Sequence, residues 1–494
     1  MRARLKVRSQ LAIAAASAIA LIVPASAGAA TIKVTTTVDE FNGNPGACSL
    51  REAIWSADND LVLQAPGCTP GSGNDRITVP AGVYDLAIGG GGEQVGASGD
   101  LDVTAPVTIE RSGAGTATVD GKGLDRVFEI NTAASGAVTI SGITIQGGHA
   151  TGPADTTSRG AGGGILVTRG ALTLTDSTIS GNLADSWGGG IETRSGASTN
   201  VVNTTISGNR ARHDGGGLDN SGGVMTLLNV TVTANVADAE QNFPGGGGIG
   251  NFGGTTTLRS TLVAANTERR GQTPDCYNAI GGSLASQGQT LVGSTQGCDF
   301  TASAGDITGV DPKLAPLADN GGPTPTHALI TGSPALGKGA GCAKADQRGV
   351  PRTAGGACDI GAYELVRCEG RIADRIGTNK DDRLTGTAGP DAFLLLSGRD
   401  KAFGLTGNDV FCGAGGNDRA YGGSGRDRIY GDTGKDRLKG GSGNDILVGG
   451  RGKDKLGGGS GRDRLRGDGS DDSCNGGAGE ADSATGCESE SRIP

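Results

Sequence analysis

Aromatic side chains make up only 3% of this 494-residue sequence, and histidine (3), methionine (2) and tryptophan (2) are rarer still. One large globular core cannot be built from so few bulky rings. No two cysteines are spaced as Cys-x-x-Cys, and His149, His213 and His327 stand apart in sequence, which argues against a structural zinc site. Beyond residue 23 no stretch is apolar enough to span a membrane, and the C-terminus carries no hydrophobic anchor. Excess positive charge is missing too. The net charge is −9, and Arg2, Arg4, Lys6 and Arg8 at the very start make the remainder more acidic still. That balance argues against nucleic acid and anionic membrane as partners.

Glycine is abundant, at 94 residues, with Thr, Ser, Val and Ile filling much of the rest. Such a composition suits a solenoid, where small side chains stack coil upon coil. Residues 1–30 read as a secretory signal: the basic start, an apolar core over 11–23, and Ala25-Ser26-Ala27 as a small-residue cleavage site. The apolar run is short for a membrane span, so the mature protein is expected outside the cell. Ten cysteines fit that compartment. They fall in close sequential pairs, Cys48/Cys68, Cys276/Cys298, Cys342/Cys358, Cys368/Cys412 and Cys474/Cys487, although connectivity stays open at the level of sequence.

The strongest signal lies at 377–475. Cut into nines, this stretch gives eleven blocks without insertion, among them GGSGRDRIY at 422–430 and GGSGNDILV at 440–448. The sixth place is always aspartate, from Asp382 through Asp391, Asp400 and onward to Asp472. The eighth is mostly apolar, as in Phe393, Phe411, Ile429, Leu438, Leu447, Leu456 and Leu465. Glycines permit a tight turn that other residues resist, and three residues then form a short strand with the eighth side chain inward. Two nonapeptides make one coil of eighteen residues, so alternate aspartates stack in two files. At a coil spacing of about 4.8 Å, neighbouring carboxylates repel by roughly 1 kcal/mol in water and about 3–4 at a surface dielectric of 20. A cation must sit among them, and calcium accepts six to eight oxygens from carboxylates and carbonyls.

The pattern G-G-x-G-x-D-x-U-x resembles the haemolysin-type (RTX) repeats. In that family the aspartates and turn carbonyls bind Ca2+, which implies Asp382, Asp409, Asp418, Asp427, Asp436, Asp445, Asp454 and Asp463 as ligands here. Pro390 and the Leu395-Leu396 pair depart from the pattern and put the sites at Asp391 and Asp400 in doubt. The fifth and seventh places are also unusually basic, as in Arg426/Arg428 and Arg462/Arg464. Over 377–475 there are 16 Lys+Arg against 15 Asp, a net of +1. The opposing reading is therefore a roll neutralised by its own arginines. This array resembles RTX toxins in its repeats only, since those toxins leave the cell by an uncleaved C-terminal signal.

Upstream, the sequence at 48–56 (CSLREAIWS) reads as a short amphipathic helix with Ser49 and Glu52 as a capping box. It would cover the exposed first coil of a solenoid. The phrase resembles the CSLREA domain found at the start of exported β-helix proteins, with Arg51 and Glu52 as a capping and packing pair. From Val138 the chain repeats. Gly-Gly-Gly-Ile at 162–165 recurs at 188–191, as Gly-Gly-Gly-Leu at 215–218, and at 246–249. Each is followed by a Thr-Ile-Ser-Gly-Asn-like strand ending at Asn182, Asn209, Asn235 or Asn266, after the inward candidates Ile179, Ile206, Val232 and Val263. A period in the twenties with short alternating strands signals a right-handed parallel β-helix, with the asparagines stacked as a ladder. The repeats are similar to those of polymorphic outer-membrane proteins, without their Phe or their membrane barrel. Residues 320–335, 346–352 and 358–364 resemble the C-terminal segment of the choice-of-anchor Q family, expected to cap the helix.

The fold expected is thus all-β. It comprises a signal at 1–30, an N-terminal cap and first coils at 31–136, a right-handed parallel β-helix with its cap at 137–366, and a parallel β-roll at 367–494. Many parallel β-helices are polysaccharide lyases or hydrolases. Asp176, Asp185, Asp214 and Asp219, with Arg194, Arg210 and Arg212, are the acids and bases on these coils, but they form no family active-site phrase. Charges on solenoid turns are normally solvated. The expectation is a secreted, non-catalytic calcium-binding protein acting in surface or matrix adhesion, with a surface polysaccharide or protein as ligand. An extracellular polysaccharide-degrading enzyme is the alternative.

Overall fold

In the computed structural model the described residues are 28–61, 67–90, 96–152, 160–238, 245–269, 274–279, 281–352, 357–378, 380–478 and 482–493. The signal sequence lies almost wholly outside them. Two solenoids follow one another along the chain: a parallel β-helix, then a parallel β-roll.

Each repeating coil of the β-helix contributes three main strands and a fourth of two residues, such as Arg210–Ala211, that pair in parallel with their counterparts above and below. Ile191–Arg194, Ala197–Val202 and Thr205–Ser207 form one coil, stacked on Leu218–Ser221, Val224–Leu228 and Thr231–Thr233 of the next. The stacking runs from Thr31–Lys33 on Asp75–Asp85 to Leu291–Val292 on Ile307–Thr308. Ile145, Ile179, Ile206, Val232, Val263 and Val292 lie in one register and are all buried. Burying each such side chain stabilises the coil by about 1.5–3 kcal/mol, without any aromatic.

The asparagines form the expected ladder. Asn182 Nδ2 donates to Asn209 Oδ1 at 2.9 Å, Asn209 to Asn235 at 3.0 Å, and Asn235 to Asn266 at 2.9 Å. Each Oδ1 also accepts the backbone N–H of the preceding asparagine, and Asp275 closes the ladder by accepting from Asn266. The triple glycines have an equally definite cause. Gly162, Gly188 and Gly215 have φ of 66°, 63° and 60°, and a Cβ there would strike Leu166, Glu192 or Asp219 within 2.8 Å. The chain therefore folds over the outward residue of its own next strand, which only glycine allows.

The one helix among the described residues, Leu50–Asn59, is capped by Ser49 with the reciprocal Glu52 bond of a capping box. Arg51 is buried, pairs with Asp39 at 2.8 Å and donates to the carbonyls of Gly96, Gly99 and Asp100. The segment expected to cap the other end runs back along the flank of the helix. Gln347 donates to Thr178 at 2.9 Å and accepts from Thr205 at 2.7 Å, His327 meets Ser207 at 2.8 Å, and Ala362 donates to Thr231, so three successive coils are held. Polar hydroxyls outside the core thus become an internal seam. All ten cysteines are paired, in sequential order.

The roll has two facing parallel sheets with a register of eighteen residues. Arg383–Thr385, Lys401–Thr406, Arg419–Ser424, Arg437–Ser442, Lys455–Ser460 and Ser473–Ala478 line one, while Ala392–Leu394, Val410–Cys412, Arg428–Tyr430, Ile446–Arg451 and Arg464–Gly469 line the other. Phe393, Phe411, Ile429, Leu438, Leu447, Leu456 and Leu465 fill the thin core between them. Cys412, in the ninth place of its repeat, joins Cys368, and Val350, Val366, Ala373, Leu394 and Leu396 pack the junction between the solenoids.

Candidate metal centre

Nine-residue periodicity brings each aspartate to the end of a turn, directly above the aspartate eighteen residues later. The contact between them is one-sided. Asp427 donates its backbone N–H to Asp445 Oδ1 at 2.9 Å, Asp445 to Asp463 at 2.9 Å, and Asp409 to Asp427 at 2.9 Å. The other file runs the same way from Asp382 through Asp400, Asp418, Asp436 and Asp454 to Asp472. A carboxylate has no proton to hand on, so its second oxygen is left over. The Oδ2 atoms of Asp400, Asp409, Asp418, Asp427, Asp436, Asp445, Asp454, Asp463 and Asp472 are buried with no hydrogen-bond partner. An orphaned buried carboxylate oxygen is costly, and so many in register call for a counter-charge.

Those oxygens face a prepared space. A Cβ built on Gly422, in the first place of its repeat, would lie 2.2 Å from Asp427 Oδ2 and 2.6 Å from the carbonyl oxygen of Gly440. Gly404 stands likewise to Asp409 Oδ2 and Gly422 O, Gly440 to Asp445 Oδ2 and Gly458 O, and Gly458 to Asp463 Oδ2 and Gly476 O. A carboxylate and a turn carbonyl converge wherever the side chain is missing. This all-oxygen donor set suits calcium, and the residues present fit the ion. Burial pushes Asp400, Asp427 and Asp436 up to about 7, with charge from aspartates of the same file adding to it. Burial likewise raises Asp418 and Asp445 to about 6, and Asp409, Asp454, Asp463 and Asp472 in the same direction. Carboxyls that hold protons so firmly without metal are those a divalent cation would displace protons from.

The first coil differs. Asp382 Oδ2 accepts from Thr378 N at 2.6 Å and from Thr378 Oγ1 at 2.8 Å. Asp391 Oδ2 accepts from Thr387, and its Oδ1 pairs with Arg375 at 3.1 Å. Their oxygens are already occupied by protein donors. Asp400 has the orphaned oxygen, but Leu395 takes the first place of that repeat and sends its side chain into the core. Asp482 shares the arrangement, accepting from Asp463 N at 2.8 Å with Oδ2 unpartnered. It follows Asp463 by nineteen residues rather than eighteen, so a strict nine-residue count passes over it.

The arginines do not neutralise the files. Among the described residues the ion pairs of the roll join Arg375 to Asp391, Lys453 to Asp471 and Arg466 to Asp468, and none reaches Asp409, Asp418, Asp427, Asp436, Asp445, Asp454 or Asp463. The reason is strand geometry. Adjacent residues point to opposite sides, so the basic side chains of the seventh place lie on the outer face while the sixth turns inward.

The RTX calcium-binding nonapeptide repeat model matches four times, over residues 376–410, 386–420, 421–456 and 448–480. The tail is an array of calcium-binding RTX repeats. No curated protein matches the chain in sequence. Among the described residues no helix is long and apolar enough to cross a membrane.

The acids of the β-helix are arranged differently. Asp214 and Asp219 do come together, beside Glu192, which the sequence reading did not single out. All three are buried, and Arg194 pairs with Glu192 at 3.0 Å. Burial raises Glu192 and Asp214 well above the ordinary carboxylate range, and Asp219 less so. The other candidates lie elsewhere: Asp176 accepts from Asn203, Asp185 meets His149 at 3.2 Å and Arg212 at 3.1 Å, and Arg210 pairs with Asp238. A further buried group, Asp100, Asp102 and Glu129, is bridged by Arg126 through Asp100 and Glu129.

Proposed function

We propose that this is an exported, non-catalytic adhesion protein in which a β-helix displays a binding surface and the RTX tail stiffens only where calcium is plentiful. The observation that carries the metal assignment is the row of orphaned Oδ2 atoms, set from Asp409 onward against a turn carbonyl. The ligands are Asp409, Asp418, Asp427, Asp436, Asp445, Asp454 and Asp463 with those carbonyls. Asp472 joins them, and Asp382, satisfied by Thr378, contributes least. The non-catalytic reading is supported by the acids of the β-helix. A glycosidase needs two carboxylates open to one bond, whereas Glu192, Asp214 and Asp219 are 0%, 2% and 0% exposed. The five disulfides and the basic-apolar start at 1–30 support export. The buried Arg51 and the capping box support a CSLREA-type cap, and the 311–364 segment its choice-of-anchor Q counterpart.

The test is retention of the mature chain on intact cells or matrix, with calcium and with chelator, alongside a reducing-end assay on acidic and neutral polysaccharides. Calcium-dependent retention without bond cleavage is expected. Release of reducing ends, lost in Glu192→Gln or Asp219→Asn, would establish the enzyme reading instead.

A further inference from the structure

The cations of the roll that leave the aspartates alone are unevenly distributed. On the sheet that follows Asp400, Asp418, Asp436 and Asp454, the seventh place is Arg383, Lys401, Arg419, Arg437 and Lys455 in five successive coils. On the opposite sheet the same place reads Ala392, Val410, Arg428, Ile446 and Arg464. Both aspartate files are equally buried and equally short of donors, so neutralising them does not explain a cation run on one side only. Arg399, Lys435 and Lys453 in the fifth place widen the stripe, and between the two rows lies a groove of about 320 Å3. Among these cations only Lys453 has an ion-pair partner among the described residues. Beside the stripe Phe403 and Tyr421 stack on each other at 5.0 Å, with Arg383 over the outer face of Phe403 and Lys439 near Tyr421.

We infer that this face is a docking surface for a linear acidic polysaccharide, laid along the roll axis with one anionic sugar group per coil or every second coil. The cations repeat at the coil spacing of about 4.8 Å, close to the advance of an extended chain per sugar ring. Charge complementarity supplies the attraction, and the parallel file sets the register. Nucleic acid fits less well. Phe403 and Tyr421 cover one face of each other, and Arg383 and Lys439 lie over the rings as well, so they offer no open platform for a base to stack on. Asp418 and Asp436 line the floor of the groove, so metal bound there removes the negative charge beneath the cations, and docking strengthens with calcium. The inference rests on the adhesion reading and names its ligand class.

The test uses the full mature chain and measures binding to immobilised hyaluronate and chondroitin sulfate, with neutral dextran and duplex DNA for comparison. Wild type is expected to bind both acidic polysaccharides in calcium, more weakly in chelator or high salt, and not to bind dextran. Arg419→Gln/Arg437→Gln/Lys455→Gln should weaken binding by about fivefold to a hundredfold, given a few tenths to one kcal/mol per exposed contact. The matched change on the other sheet, Arg428→Gln/Arg464→Gln, should leave it within about twofold. Hydrogen exchange in calcium confirms that each variant keeps its roll. Equal binding by the folded triple variant, or tighter binding of DNA than of either polysaccharide, overturns the inference. If wild type is retained on cells and the triple variant equally so, adhesion stands and this surface does not mediate it. If wild type is not retained at all, the adhesion reading itself fails.

Discussion

The β-helix and the roll stack polar side chains in the same way and reach opposite results. At the turn of the helix sits asparagine, with an acceptor and two donors. Its Oδ1 takes the backbone N–H of the coil before, and its Nδ2 passes a hydrogen bond to the coil after, so the ladder satisfies itself down to Asp275. At the turn of the roll sits aspartate, with acceptors only. Its Oδ1 takes the same kind of backbone N–H, and its Oδ2 is left with nothing. One atom, nitrogen or oxygen, separates a ladder complete in itself from one that waits for a cation.

The sharpest way to separate the two regions is to remove the metal. Chelation should loosen the roll as a unit, because each site at ten times its dissociation constant contributes roughly 1.4 kcal/mol and several are coupled. The helix should be untouched. Nearly as large is the effect of Gly425→Ala. Its φ is 139°, and a Cβ would lie 1.5 Å from the carbonyl oxygen of Gly407. The strain and clash should cost about 3 kcal/mol or more and raise the calcium midpoint of the tail, read by circular dichroism.

Within the helix, Asn209→Ala should cost about 1–3 kcal/mol in thermal or denaturant unfolding, since Asn182 and Asn235 lose their partner inside the core. Thr255→Ala, exposed on the outside of the next coil but one, should stay within about 0.5 kcal/mol. Similar losses from both would break the comparison at its base.

Proton dependence gives a subtler effect. In calcium-free protein the folded roll holds Asp427 and Asp436 up to about 7, above their ordinary 3.8. A raised carboxyl stabilises the fold most below its unfolded value, and that stability drains away as pH climbs through the folded value. The chelated roll should thus be most ordered near pH 4 and least near pH 7. With calcium present, protons compete for the same oxygens, so the calcium midpoint should rise as pH falls from 7 toward 5, and binding should release protons. A titration in weak buffer reads both.

Much of this was legible in the sequence, because periodicity is a property of spacing. The eighteen-residue register, the inward Ile206 and Leu447, the asparagine ladder and the box at Ser49 all follow from which residues recur and how far apart. What was illegible depends on direction and cover. The excess of arginine in the roll reads as neutralisation until the sixth and seventh places are seen to point apart. Glu192 follows Ile191 and so belongs to the outward face of its strand, where a glutamate is ordinarily solvated. Gly188 folding back over it is what buries it. The flank seam of Gln347 and His327 depends on pairings about 120 to 142 residues long, which no local pattern encodes.

The most direct test of the central claim is hydrogen exchange, followed by mass spectrometry, on the full mature chain with calcium and with chelator. The account predicts strong protection across 376–480 in calcium and its collective loss in chelator, while the coils from Ile165 to Val292 exchange identically in both. Equal protection of the roll with and without calcium would contradict it, for the aspartate files would then be stable with their second oxygens unpaired.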